Sequence, residues 1–150
     1  MVDSNILKRE LSKFWDEDLS QFVAYPESFN EFADKFGNAL NIYLMQLIPL
    51  STTLPLACTN FSDYLKATQS LENNTLEAAL DLLLQVLVSG MLPMYICVPI
   101  PISTLEDIWT LGVEGDKSEN ILDKLCMRID SWIKSQTAIE SITQKTIVFS

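Results

Sequence analysis

Any chemistry in this chain has to be done without histidine. None of its 150 residues is a histidine, so the commonest proton shuttle is missing. A Ser-His-Asp or Cys-His mechanism is excluded with it. The four glycines stand apart, at positions 37, 90, 112 and 115, and none begins a phosphate-cradling loop. Carboxylates are the remaining candidates. Asp16-Glu17-Asp18 is the densest acidic run. Consecutive helical residues splay about 100° apart, so these three side chains diverge instead of converging on one ion. The run reads as a solvated charged face. Glu114-Gly115-Asp116 falls in a turn, where it could hold a hard cation weakly. It lacks the ordered ligand series of a calcium loop. Glu106-Asp107 more simply complements the positive end of a helix. No metal or cofactor is expected.

The soft ligands point the same way. Cys58, Cys97 and Cys126 are odd in number and widely spaced, with no Cys-x-x-Cys. This argues against a disulfide framework and against zinc. All three have apolar neighbours and read as buried, reduced thiols, which suits synthesis in a cytoplasm. Trp15 and Trp132 fall on apolar helical stripes and read as packing residues. Trp109, with Tyr95, could line a small apolar pocket. With no complete catalytic signature, the chain reads as a non-enzyme.

The elements that would position these residues are mostly helices. Asp3 or Ser4 can cap a first helix over residues 4–22, with Leu7, Leu11, Phe14 and Trp15 at helical spacing and Pro26 beyond its end. Ser28-Phe29-Asn30-Glu31 reads as a capping box. The helix it opens carries Phe29, Phe32, Phe36, Leu40, Leu44 and Leu47 on one stripe, until Pro49 stops it. Residues 50–59 read as a connection and 60–68 as a short helix. Thr75 caps 76–88, a segment so apolar all round that it must be buried. Gly90 then supplies a left-handed cap. Ser103-Thr104-Leu105-Glu106 is a second capping box opening a short helix, and Ser118 caps a long one over 119–135. The tail, 143–150, is rich in β-branched residues and strand-like.

Between these helices lies the most unusual segment, Gly90-Met91-Leu92-Pro93-Met94-Tyr95-Ile96-Cys97-Val98-Pro99-Ile100-Pro101. Proline lacks an N–H and fixes φ, so the strip should be extended and poor at forming a central strand. It needs a cover to finish its hydrogen bonding. The short tail strand cannot stand alone; it must pair with this strip or with another chain by strand addition. Methionines in the strip could adapt to varied surfaces. The expected fold is therefore mainly α, a single domain over 1–150. It has five to six helices, an extended apolar segment at 91–102 and a short C-terminal β-strand. The candidate interface is Met91, Leu92, Pro93, Met94, Tyr95, Ile96, Val98, Pro99, Ile100 and Pro101, with Ile147, Val148 and Phe149 of the tail.

Charge and hydropathy narrow the partners. The net charge is −10 and the mean hydropathy +0.17. An acidic surface with scattered Lys and Arg does not suit phosphates, so no nucleic acid is expected. Residues 36–62 and 82–105 contain no charge and have the length of a membrane span. Prolines interrupt both, and exposed non-helical backbone is very costly in lipid. Neither has a clear Lys/Arg flank. No membrane is expected, and the N-terminus does not read as a signal peptide.

The stretch Gly90-Met91-Leu92-Pro93-Met94-Tyr95 with Pro99-Ile100-Pro101, the later Ile129-Asp130-Ser131-Trp132, and the ending Thr146-Ile147-Val148-Phe149-Ser150 together resemble a pattern in small virion proteins of tailed bacteriophages. The resemblance covers the C-terminal 60 to 75 residues or so, on short motifs. It implies a non-catalytic structural subunit of capsid, neck or tail. Such a subunit is made in the host cytoplasm, located in the virion, and packed against copies of itself or other virion proteins. It carries no catalytic residues with it. The alternative is a small acidic chaperone or adaptor that binds a protein client.

Overall fold

A computed structural model of the chain describes residues 2–13, 26–102, 105 and 118–150. Helix α1 (Ser4–Ser12) starts where the Asp3 side chain accepts a hydrogen bond from Asn5 N at 2.9 Å, satisfying one orphan N–H of the first turn. Leu7 and Leu11, four apart, are its buried face. Its expected extension to residue 22 lies outside the described residues. Lys8 Nζ meets Asp123 Oδ1 of the last helix at 2.6 Å, a solvated pair worth under about 1 kcal/mol.

Helix α2 (Pro26–Leu44) begins two residues before the expected capping box. Proline's fixed φ and missing N–H suit the first helical position, so Pro26 opens this helix and does not trail the previous one. The stripe of Phe29, Phe32, Phe36, Leu40 and Leu44 is buried, with Leu47 just beyond the end. Helix α3 (Leu54–Thr68) also starts earlier than expected, with Pro55 in its first turn. Phe61 of α3 meets Phe36 at a ring-centroid distance of 5.1 Å. The two helices close on Gly37, where an added Cβ would lie 2.0 Å from Ser62 Oγ and 2.9 Å from Cys58 O.

Helix α4 (Asn73–Ser89) packs against α3. It buries Leu76, Ala79, Leu80, Leu83, Leu84, Leu87 and Val88, as its nearly unbroken apolar surface requires. The left-handed cap expected at Gly90 is absent: its φ is −78°. Glycine is needed there for space instead. A Cβ would sit 2.1 Å from Thr53 Oγ1, 2.5 Å from Ser51 Oγ and 2.7 Å from Thr53 N. Those hydroxyls donate to the end of α4, Ser51 Oγ to Leu87 O at 2.5 Å and Thr53 Oγ1 to Val86 O at 2.6 Å. The same two carbonyls also accept Gly90 N at longer range, 3.3 Å for Val86 O and 3.2 Å for Leu87 O, so the hydroxyls reinforce the end of the helix.

Helix α5 (Ser118–Lys134) buries Leu122, Leu125, Cys126, Ile129, Trp132 and Ile133. Tyr43 of α2 donates its hydroxyl to Asp130 Oδ1 at 2.5 Å, and Lys134 Nζ holds the other oxygen at 2.8 Å. This polar link crosses the core with all its members engaged.

The strands are β1 (Tyr95–Ile96), β2 (Thr137–Glu140) and β3 (Thr146–Val148), forming an antiparallel sheet in the order β1-β2-β3. The fold is mainly α, with five helices and this small sheet among the described residues. The tail pairs within its own chain, and its partner is neither the strip nor a neighbour. A middle strand, β2, stands between them and pairs with both. Beyond β3, Ile48 and Ser150 exchange both backbone hydrogen bonds, at 2.7 and 3.1 Å, engaging the last position of that margin. The second capping box at 103–106 and its helix fall outside the described residues except for Leu105, which is buried.

Candidate functional site: the outer face of the sheet

The strip is not extended throughout. Residues 90–94 continue α4 as successive turns, with Met91 N bonding Val88 O at 3.1 Å and Tyr95 N bonding Met91 O at 3.0 Å. Beyond the short strand at Tyr95–Ile96 the body of the protein takes up its hydrogen bonds at Ile100, Ile102 and Leu105. Ile100, between Pro99 and Pro101, donates its N–H to Gln136 Oε1 at 2.8 Å and accepts from Gln136 Nε2 at 2.9 Å and Trp132 Nε1 at 2.8 Å. Gln136 is fully buried. Ile102 N goes to Asp81 Oδ1 at 2.9 Å, and Leu105 N to Glu77 Oε1. Glu77 and Asp81 are four apart on α4, on one face. Burial raises the Asp81 carboxyl above its usual range, with Glu77 adding to the rise and the bond from Ile102 opposing it.

Held this way, the strip alternates. Tyr95 and Cys97 pack on the core; Ile96, Val98 and Ile100 face out. The register extends the alternation across the sheet, because residues directly opposite each other share a face. Ile96 is opposite Ile139, which is opposite Thr146; Thr137 is opposite Val148. On the inner side, Ala138 and Phe149 are buried and Ile147 packs on the core. On the outer side, Ile96 is 51%, Val98 82%, Ile139 42% and Val148 59% exposed. Ile48, exposed and opposite Ser150, continues this face past β3. Glu140 and Lys145 alternate onto the other face by the same register. The outer face is thus a sheet surface of Ile, Val and Thr.

Most of the expected interface residues lie on or beside this face, but not all. Leu92, Pro93 and Met94 are exposed on the turn leading into it. Ile96, Val98, Ile100 and Val148 form it. Pro99 is half-buried and Pro101 exposed. Met91, at 3% exposed, and Phe149, at 1%, are core residues, and Tyr95 and Ile147 face inward. The reason is parity: a strand sends alternate side chains to opposite faces, so a run of adjacent residues cannot all be interface. Ile139 and Ile48 belong to the face without having been singled out. For Ile139 the signal was present in the alternating Thr137-Ala138-Ile139-Glu140.

Comparison with protein-family models, curated proteins and solved structures returned no match for this chain.

Other sites for chemistry are sparse. Among the described residues no three His, Cys, Asp or Glu side chains are grouped to hold a metal ion. The runs at 16–18 and 114–116, Trp15 and Trp109 lie outside them. Cys58 and Cys126 are buried and Cys97 half-buried. Burial pushes Cys58 and Cys126 up to about 12 and raises Cys97, which keeps thiols protonated and poorly nucleophilic. A groove of about 350 Å³ between α2 and α3 includes Asp34 and Lys66, which already pair at 2.5 Å. Among the described residues, no helix is long and apolar enough to cross a membrane.

Proposed function

We propose that the protein is a non-catalytic structural subunit of a virion, acting by packing the outer face of its sheet against neighbouring subunits. One observation carries the reading: the sheet is apolar on both faces. An antiparallel sheet with one face in water ordinarily alternates apolar-in and polar-out. Here the outward positions carry Ile96, Val98, Ile139 and Val148, with the uncharged Thr137 and Thr146 as the polar members of the strands on that side. Apolar area of this kind marks an interaction site, and a sheet apolar on both sides is the middle layer of a three-layer arrangement. The virion setting is supported by the resemblance of the C-terminal half to small tailed-phage virion proteins.

The test places a photo-crosslinking residue at Val98 in cells that produce the particle. Purified particles should contain the chain covalently joined to a neighbouring subunit. Ile139→Asp, at an exposed position, should fold with unchanged circular dichroism yet be missing from particles. Incorporation of Ile139→Asp at the wild-type ratio, or particles that lack the wild-type chain, overturns the reading.

A further inference from the structure

We propose that the groove between α2 and α3 binds a linear polyamine, one amine held by Asn41 and another by Asp63. The inference does not rest on the sheet face.

An unanswered acceptor is the first argument. Asn41 Oδ1 is buried without a hydrogen-bond partner, and among the described residues no other buried side-chain nitrogen or oxygen is left so. Such an atom is costly to leave unpaired and calls for a donor. Asn41 lines the groove of about 350 Å³, a volume within the range of small-molecule sites.

The state of the other polar groups is the second argument. On the α3 wall the hydroxyl protons are spent: Thr59 Oγ1 donates to Pro55 O at 3.0 Å and Ser62 Oγ to Ala33 O at 2.9 Å. Lys66 is engaged by Asp34. Asp63 is exposed and has no ion-pair partner among the described residues. Apart from the amide hydrogens of Asn38 and Asn41, the groove is left with oxygen lone pairs and an unpaired carboxylate. Its complement is a cation that carries N–H donors. A metal ion fits less well, since no three His, Cys, Asp or Glu side chains are grouped among the described residues. The net charge of −10 adds a long-range attraction for cations.

Spacing is the third argument. Ser62 meets Ala33, Lys66 meets Asp34, and Cys58 lies against Gly37. The two helices therefore run antiparallel, with Asp63 at the Asp34 end of the groove. Asn41 lies two turns further along α2, about 10 Å away. Gly37 and Cys58 line the groove between these ends, where methylenes can lie. Donor groups joined by an alkyl chain match this separation.

Isothermal titration calorimetry of the purified full-length chain with spermidine tests the site. One spermidine should bind per chain, with a Kd of roughly 10–100 μM at about 0.05 M salt. Hexamethonium, a linear cation with quaternary charges and no N–H, should bind at least about 10-fold more weakly. Asn41→Ala should weaken spermidine about 10-fold, and Asp63→Asn about 3- to 10-fold. Glu140→Gln, on the sheet, removes the same charge as Asp63→Asn and should stay within about twofold of wild type. All three variants should keep the wild-type circular dichroism. No saturable heat up to about 5 mM spermidine overturns the site. So does equal affinity for hexamethonium, a loss in Glu140→Gln as large as that in Asp63→Asn, or unchanged binding in both groove variants.

Discussion

The side-chain amide of Gln136 pairs with both backbone groups of Ile100, taking its N–H at 2.8 Å and its C=O at 2.9 Å. A primary amide has one donor side and one acceptor side, like a peptide unit. Gln136 therefore substitutes for the neighbouring strand residue that a proline-flanked segment cannot recruit. The same residue anchors the tail, accepting Phe149 N at its backbone carbonyl at 3.1 Å. One buried residue thus joins strip, last helix and sheet, the first two through its side chain and the third through its backbone.

Gln136→Leu should cost about 2–3 kcal/mol in chemical denaturation, because Ile100 N–H loses its acceptor in a part-buried place. Trp132 Nε1 still serves the carbonyl, so the loss falls on the N–H. Hydrogen exchange should report it directly, as lost protection at Ile100 beyond the global change. Unchanged exchange at Ile100 would show that the amide is not the partner that matters.

Val148 and Phe149 are neighbours in sequence with opposite fates. Phe149→Ala should cost about 3–5 kcal/mol as a buried aromatic truncation. Val148→Thr should leave monomer stability within about 0.5 kcal/mol. Urea midpoints at low protein concentration distinguish them; equal losses would contradict the two-faced sheet.

Gly90→Ala should cost about 1–3 kcal/mol through overpacking. Its Cβ would meet Ser51 Oγ, Thr53 Oγ1 and Thr53 N, and these hydroxyls cannot retreat without leaving the α4 carbonyls. Thr53→Ser does not relieve the clash, since the Oγ remains. Thr53→Ala removes that oxygen, so thermal unfolding of the double variant Gly90→Ala/Thr53→Ala should show less than the sum of the two single losses.

Alkaline pH should unfold the protein earlier than its acids alone would suggest. Burial is the main cause holding up Cys58 and Cys126, each to about 12, and Tyr43, where the bond to Asp130 and its charge add. All three are neutral in the folded state. Unfolded thiols ionise near pH 8.5 and phenols near pH 10, to a rough approximation. Each folded value lies above its unfolded one, so this stability is complete below about pH 8.5. It is lost as pH rises, by at most about 1.4 kcal/mol per pH unit per group. Stability measured by urea from pH 7 to 10.5 should fall above about pH 8.5. Replacing both Cys58 and Cys126 by Ala should flatten that fall, whatever the variant costs at pH 7.

Periodicity carried the helices, because apolar stripes such as Phe29-Phe32-Phe36 leave no other way to bury themselves. The starts of α2 and α3 were obscured by prolines, which read as stops but also suit a first turn. The sheet was half visible: Thr146-Ile147-Val148 showed strand chemistry, while Thr137-Ala138-Ile139-Glu140 was too short to stand out against the helix before it. Gln136 was invisible as a clamp, since nothing in its type distinguishes a buried amide from a solvated one. The outer apolar face needed the register. Only when Ile96 is known to oppose Ile139 do four scattered residues become one surface.

The two margins of the sheet bear on what kind of assembly can grow from this molecule. Pro99 and Pro101 continue the β1 side, where they offer no N–H to an incoming strand. On the β3 side the Ile48–Ser150 pair takes the last position. Interrupted at one end of each margin in this way, the sheet leaves only short edges for an incoming strand. Edge-to-edge growth into open-ended polymers is disfavoured by this arrangement.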